Sequence, residues 1–186
     1  MPNEARAQPA ANDDEAAKPL PPPERIQELL FDAARLGRID VLPALLIAGA
    51  DIEGYDAKGY TALVLASYNG QAQATELLLK QGARPDAPDR VRGNTALMGV
   101  AFKGYGGIAE RLLDAGADPH VTNEAGQTAL MMAAMFGHSG IVDLLLEAGA
   151  DPLAIDAAGN SAWSVARGQG NTIMVQRLMR GQPCPA

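Results

Sequence analysis

The chain has 186 residues, a formal net charge of −7 and a single Cys, and 47% of its residues are hydrophobic. That hydrophobic share excludes disorder throughout, the lone Cys excludes a disulfide framework or a thiolate zinc site, and the acidic balance disfavours non-specific binding to nucleic acid. Twenty Gly and 13 Pro, against 4% aromatic residues, interrupt the chain too often for a simple helical bundle.

The N-terminal segment differs in composition from the rest. Residues 1–23 hold six of the 13 prolines and contain no Gly and no aromatic residue. Such a segment buries too little apolar area to offset its ordering entropy, so we predict a disordered Pro/Ala-rich arm ending in an extended Pro21-Pro22-Pro23 run. The sequence shows no signal peptide and no apolar stretch long enough for a membrane span. We therefore expect no membrane partner and a cytoplasmic protein, or a periplasmic one if a signal peptide originally preceded residue 1.

Beyond the arm, three sequence markers recur with a period of 33 or 34 residues. They are a Gly-Ala pair, a Thr/Ser-Ala-Leu/Trp triplet, and a Gly nine residues after the triplet begins. One extra residue lies between 88 and 94, and the other intervals agree. The period predicts stacked helical units over 24–182, followed by a short tail over 183–186. The markers begin at Gly49, Gly82, Gly116 and Gly149, at Thr61, Thr95, Thr128 and Ser161, and at Gly70, Gly104, Gly137 and Gly170.

Each unit contains two short helices. Thr128 is placed to cap a first helix over 129–136, because its hydroxyl can accept an otherwise unpaired amide proton, and Gly137 can end that helix. An apolar face predicts a second helix over about 140–148. The turn residues between units, such as those at 123–126, predict hairpin-like projections that we call fingers. Helices this short are marginal alone, so each unit must be stabilised by its neighbours.

The unit from 126 to 151 carries a recognisable set of motifs: Gly126-Gln127-Thr128-Ala129-Leu130, Ala133-Ala134, Gly137-His138, Ile141-Val142, Leu144-Leu145-Leu146 and Gly149-Ala150-Asp151. With these motifs the chain resembles ankyrin-repeat proteins over 24–182, in particular the small single-module type found in bacteria. The resemblance implies an all-α ankyrin-repeat solenoid of about five helix-turn-helix units, three internal repeats between N- and C-terminal caps, with β-hairpin-like fingers. It also implies that the chain binds another protein.

Two departures from the family pattern affect contacts between repeats. Ala replaces the usual Pro at Ala62, Ala96, Ala129 and Ala162, and other residues replace the usual His at Val64, Met98, Met131 and Ser164. The resemblance then implies that the Thr–His hydrogen bonds joining neighbouring repeats are missing and that the stack is less rigid.

The terminal units have polar residues where internal units are apolar, as the ends of a closed solenoid require. In the last unit Arg177 takes a core Leu position, and this polar character predicts a monomer. In the first unit we expect the exposed side chains to be Arg25, Gln27, Glu28, Arg35 and Arg38.

The residue types needed for catalysis are sparse. His138 lies at the family's Gly-His position, where the ring supports a turn, and His120 lies in a finger. Neither has a second His, a Cys or a spaced carboxylate pair nearby in sequence, and Cys184 lies in the tail. We therefore predict no catalytic residue, no metal site and no cofactor.

A binding surface can be predicted from the repeat register. In ankyrin stacks the two residues before the helix-ending Gly face the concave groove. For the three internal repeats these residues, our first candidates for partner binding, are Tyr68, Asn69, Phe102, Lys103, Met135 and Phe136. They include three of the eight aromatic residues, an enrichment typical of interaction sites, although packing into the core is the alternative.

The fingers supply further candidates at the rim of the groove. Tyr55, Lys58 and Tyr60 lie on the first finger, and Arg90 and Arg92 lie on the second. An Arg pair can hold a partner carboxylate, and a solvated loop is the alternative.

The sequence thus favours a non-catalytic protein-protein interaction module that uses its concave groove and fingers. By resemblance, accessory regulators of a partner enzyme and immunity proteins against a toxin are candidates. A small-ligand-binding protein, an enzyme whose pocket is not visible in the sequence, and a structural scaffold are the alternatives.

Overall fold

The computed structural model describes residues 21–180, and the predictions for the arm within 1–20 and for the tail after 180 lie outside the described residues. The described part is helical, as predicted, and its helices form five helix-turn-helix units. None of these helices is long and apolar enough to cross a membrane. The bounds are α1 Pro23–Leu36, α2 Leu42–Ile47, α3 Ala62–Tyr68, α4 Ala72–Lys80, α5 Ala96–Lys103, α6 Gly106–Asp114, α7 Ala129–Met135, α8 Ser139–Glu147, α9 Ala162–Gly168 and α10 Thr172–Leu178.

The helices form two layers. Helices α1, α3, α5, α7 and α9 pack side by side in chain order and make the inner layer, while α4, α6, α8 and α10 follow one another in the outer layer. One buried Leu from every helix except α9, together with many Ala, fills the thin space between the layers, because short helices at close spacing leave little room for aromatic side chains. The Leu residues at most 2% exposed are Leu30, Leu42, Leu63, Leu78, Leu97, Leu112, Leu130, Leu145 and Leu178.

The inner helices of the last four units begin at the predicted caps. The hydroxyls of Thr61, Thr95, Thr128 and Ser161 each accept the backbone N–H three residues on, at 3.1–3.3 Å. Gly137, at φ 74°, follows α7 in the left-handed conformation that glycine tolerates. The helices predicted over 129–136 and 140–148 are observed at Ala129–Met135 and Ser139–Glu147, so both predictions are confirmed to within one residue.

The start of the repeat domain differs slightly from the prediction. Pro22 is extended, with φ −60° and ψ 154°, but Pro23 is already the first residue of α1. The prediction that Pro23 belongs to the extended run is therefore wrong. Proline suits the first position of a helix because its φ is already close to the helical value and the amide it lacks would be unpaired there.

The terminal units need two corrections. Gln27 and Arg35, expected to be exposed, are half-buried: the Gln27 amide donates to the Asp51 carbonyl and accepts from the Asp51 N–H, at 2.9 and 2.7 Å. At the other end Arg177 is half-buried and paired with Asp143 of the preceding unit. The fully buried Leu position of this last unit is held by Leu178.

Neighbouring units are joined by hydrogen bonds other than the family's Thr–His bonds. At the usual His position Val64, Met98 and Met131 are buried apolar side chains. Other hydrogen bonds join neighbouring units in their place, including backbone bonds between consecutive fingers, and the loss of rigidity stays a prediction. The side-chain ties run from Gln71 Nε2 to the Arg35 carbonyl (3.3 Å), His138 Nε2 to the Phe102 carbonyl (3.1 Å) and Gln169 Nε2 to the Met135 carbonyl (3.0 Å). The backbone ties run from Arg90 N to Gly59 O, Glu124 N to Arg92 O and Ala157 N to Ala125 O, at 2.9–3.0 Å.

We expect Thr128→Ala to lower the free energy of unfolding by about 1 kcal/mol, because it removes the acceptor for the Met131 N–H at a buried helix start. Urea denaturation followed by circular dichroism measures the change. Thr122→Ala, at an exposed position, is the matched control and should change stability by less than about 0.5 kcal/mol. Equal effects from the two substitutions would contradict the capping role.

Candidate protein-binding groove

A groove of about 440 Å³ lies between the inner helices and the fingers of the internal repeats. We call it the central groove. Helices α3 and α5 form its floor, and the second and third fingers form its walls. It is lined by Tyr60, Val64, Leu65, Tyr68, Asp89, Val91, Arg92, Asn94, Thr95, Met98, Gly99, Phe102, Asn123, Gln127 and Met132.

Three aromatic side chains from successive repeats form a continuous row along the ends of the inner helices. We call Tyr68, Phe102 and Phe136 the aromatic row. The Tyr68 and Phe102 rings are nearly parallel with centroids 6.3 Å apart, and Phe102 and Phe136 meet edge to face at 4.6 Å. The three side chains are 40–48% exposed. The alternative that they are core residues therefore does not hold, because each contacts its neighbour and still faces solvent.

The other candidates at the two repeat positions before the helix-ending Gly, which we call the column positions, differ from one another in environment. Met135 continues the apolar surface beside Phe136 and is 37% exposed. Lys103 places its Nζ 4.9 Å from the centroid of the Tyr68 ring, a cation–π geometry that keeps its charge at the surface. Asn69 is exposed, but its amide donates to the Leu65 carbonyl at 2.7 Å. Asn69 is thus committed to its own helix rather than to the groove.

Each internal finger is shaped by one Asp or Asn whose side-chain oxygen accepts backbone N–H groups. In the first finger Asp56 accepts from Lys58 and Tyr60, both at 2.9 Å. In the second finger Asp89, only 5% exposed, accepts from the N–H groups of the three residues 91–93 at 2.7–3.2 Å. In the third finger the Asn123 side-chain oxygen accepts the N–H groups of Ala125 and Gln127, at 3.0 and 2.9 Å. A local side-chain acceptor therefore fixes each loop before any partner arrives.

The second finger is longer than its neighbours by the extra residue seen in the sequence. Its closing bond joins Asp89 N to Asn94 O, whereas the corresponding bond of the first finger joins Asp56 N to Tyr60 O, one residue less. The longer tip carries Val91, which lines the groove and is 49% exposed. Sequence reasoning missed Val91, although a lone apolar residue between two Arg in a turn was the available signal.

The rim candidates occupy two different settings. Tyr60 and Arg92 line the central groove, with Tyr60 half-buried against the core. The Arg90 guanidinium carbon lies 3.9 Å from the centroid of the half-buried Tyr55 ring, so those two side chains pack on each other across the first two fingers. Lys58 is exposed and does not line the groove.

A polar network that the sequence did not reveal links the walls of the groove. The Asn123 amide donates to Asn94 Oδ1 at 3.0 Å and to Gln127 Oε1 at 3.2 Å. These bonds couple the second and third fingers. Within residues 21–180, no group of three or more His, Cys, Asp or Glu is placed to hold a metal ion.

Comparison with known proteins agrees with the helix pairs, caps and fingers. A family model described as ankyrin repeats (3 copies) matches residues 30–123 and again residues 97–184. The chain belongs to the ankyrin-repeat family. Ankyrin repeats are generic protein–protein interaction modules, and the family is generally non-enzymatic.

Similar ankyrin-repeat segments occur within much larger proteins. The ankyrin repeat domain-containing protein SAT10 of Stachybotrys chartarum is 42% identical over 101 residues, which are 54% of this chain and 5% of that protein. An ankyrin repeat-containing protein of Treponema pallidum is 38% identical over 90 residues, 48% of this chain and 30% of the relative. Glycerophosphocholine phosphodiesterase GDE1 of Eremothecium gossypii is 35% identical over 100 residues, 53% of this chain and 8% of GDE1. The chain thus spans less than a third of the length of each of these ankyrin relatives.

We expect Asp89→Ala to destabilise the chain by about 2 kcal/mol, because the buried carboxylate accepts several backbone N–H groups of the second finger. Hydrogen exchange at the amides of residues 91–93 should accelerate as well. Asp89→Asn is the matched control, since Asn123 performs the same task in the third finger with an amide oxygen. It should lose about half as much stability, and an equal loss from Asn and Ala would contradict this role of the side-chain oxygen.

Proposed function

We propose that this chain is a non-catalytic, monomeric interaction module that takes a segment of a partner protein into the central groove of its ankyrin stack. The observation that carries the proposal is the aromatic row, whose side chains are 40–48% exposed in a chain with 4% aromatic residues. Aromatic side chains supply large contact areas with few rotatable bonds, and such clusters on a surface mark interaction sites. A partner that covered the aromatic row would remove its apolar surface from water, which would stabilise the complex.

The groove is arranged before binding, which favours affinity. Each ring of the aromatic row is held by the next one, and the His138 ring lies 6.5 Å from Phe136 at the end of the row. The finger backbones are fixed by Asp56, Asp89 and Asn123. Because little side-chain and loop freedom remains to be lost, more of the contact energy appears as affinity.

A small-ligand function has less support. The groove volume falls within the range of ligand sites, but such sites orient their ligand with a few unpaired polar groups that converge. Here the groove's Asn94, Asn123 and Gln127 bond to one another, and the Asp89 carboxylate accepts the N–H groups of its own finger. An open apolar surface whose uncharged polar side chains are paired with one another suits a protein segment better.

Within this class we propose an accessory or immunity-type regulator of a partner enzyme or toxin. The support is the resemblance to small single-module ankyrin-repeat proteins of bacteria, in which such roles are found. A stack that carries its own binding surface and no catalytic residues would act by covering or positioning a surface of its partner. Affinity capture from the native cell, with the captured protein identified by mass, tests this assignment.

We expect the double substitution Tyr68→Ala and Phe102→Ala to abolish pull-down of the partner. Each truncation of a binding anchor costs about 2 kcal/mol or more, so both together should weaken binding roughly a thousandfold. The melting temperature should fall by only a few degrees, because both side chains are at least 40% exposed.

The matched control is Ile155→Ala with Ile173→Ala, which removes two exposed apolar side chains, each 71% exposed, outside the central groove. Capture by this variant should equal that of the unaltered chain. Capture that survives loss of Tyr68 and Phe102 would refute the groove assignment. Equal losses in both double variants would show that exposed apolar area in general, rather than the groove, retains the captured protein.

A further inference from the structure

The charges of this acidic protein are distributed unevenly between its faces. Four cations, Lys58, Arg90, Arg92 and Lys103, lie on the first two fingers and at the end of α5, and of these Arg92 lines the central groove. Among the described residues none of the four has a carboxylate within ion-pairing distance. The groove therefore combines apolar side chains with unpaired positive charge, although the whole chain carries a net charge of −7.

Most of the other cations within residues 21–180 are paired with a carboxylate. Lys80 and Arg111 both contact Glu76, at 2.6 and 3.4 Å. The hydrogen bond from Lys80, and to a smaller extent that from Arg111, lowers the pKa of the Glu76 carboxyl below its ordinary value. Arg84 pairs with Glu53 at 3.0 Å. In residues 21–180 the remaining cations without an acidic partner are Arg167, which covers the Trp163 ring, and Arg180 at the edge of the described chain. Unpaired positive charge is thus concentrated at the groove.

Asp56 and Asp89, two carboxylates beside the groove, face their own fingers, while Glu124 on the third finger is exposed and forms no ion pair within the described residues. Asp89 is the one carboxylate in the described lining, and its oxygen accepts three backbone N–H groups. Asp56 accepts two backbone N–H groups and contacts Arg35 at 3.3 Å. Neither carboxylate neutralises the cations around the groove, which remain available to a partner.

From this distribution we propose that the central groove selects a protein segment in which acidic residues flank an apolar or aromatic anchor. The anchor would pack against Tyr68, Phe102 and Val91, and the flanking carboxylates would reach Lys103 on one side and Arg92 on the other. Guanidinium groups bind carboxylates with two parallel hydrogen bonds, and complementary charge accelerates association. This inference rests on the proposed protein-binding function and adds the chemistry of the partner.

Cations beside stacked aromatics also suit single-stranded nucleic acid, but the net charge of the chain favours a protein. The exposed Glu110, Asp114 and Glu147 of the outer helices add to the negative charge of the chain, which repels a phosphate backbone. A short acidic peptide segment, in contrast, can bind within the groove without extending past its rim. Binding of an oligothymidine probe to the groove is therefore an outcome that would overturn the proposal.

The test is selection of a randomised linear peptide library, displayed on phage, on the immobilised full-length chain at low salt. We expect enriched peptides to carry Asp or Glu on both sides of an aromatic or aliphatic residue. Arg92→Glu with Lys103→Glu should weaken binding of an enriched peptide on the order of thirtyfold at low salt and less at high salt. Lys80→Glu with Arg84→Glu makes the same change in net charge away from the groove and should have an effect within about twofold.

The outcomes separate the two proposals. Enriched peptides that require Tyr68 and Phe102 but are neutral or basic would overturn the charge inference and leave the groove as a protein-binding site. Acidic peptides that bind independently of Tyr68 and Phe102 would overturn both. Absence of any enriched sequence would overturn the inference of a linear acidic segment, while the pull-down with the Tyr68 and Phe102 variant still tests the proposed function.

The acidic residues of the chain's own N-terminal segment provide a last check. Neutralising them with Glu4→Gln, Asp13→Asn, Asp14→Asn and Glu15→Gln in the full-length chain should leave peptide affinity within about twofold. A tightening of about tenfold would identify that segment as the occupant of the groove and would overturn the proposal of a separate partner.

Discussion

The structure depends on burial between consecutive units. Helices α2 to α10 are six to nine residues long, too short to be stable in water on their own, so each is stabilised by the Leu and Ala side chains it buries against neighbouring helices. The core between such short helices is thin and accepts few large side chains. Aromatic side chains placed at column positions therefore remain at the surface, where they are free to contact a partner.

The same stacking also determines where the candidate site lies. Because each unit repeats the last after 33 or 34 residues, equivalent side chains come to lie next to each other along the stack. Tyr68 and Phe102 hold the same position in consecutive units and their rings are nearly parallel. Phe136 is one position further along its unit and meets Phe102 edge to face instead. A regular fold thus yields a surface whose specificity depends on which residues occupy a few columns.

Local rules made much of the structure predictable from the sequence. Caps at Thr61 and Thr128, the helix end at Gly137 and the column containing Tyr68 and Phe102 follow from residue type and spacing, because each depends on only a few neighbouring residues. The packing of Arg90 on Tyr55 and the Asn123 network depend on the register between fingers, which the repeat period does not specify. The role of Val91 depends instead on the shape of one enlarged turn, which carries this side chain into the groove.

The central groove, rather than the outer helices, is the surface that we propose meets the partner. Hydrogen exchange of the full-length chain, measured with and without the captured partner, tests this proposal most directly. We expect slower exchange at the amides of the second and third fingers, residues 90–94 and 123–127, with the amides of the outer helices α4, α6 and α8 unchanged. Protection confined to those outer helices, with unchanged exchange in the fingers, would contradict the account.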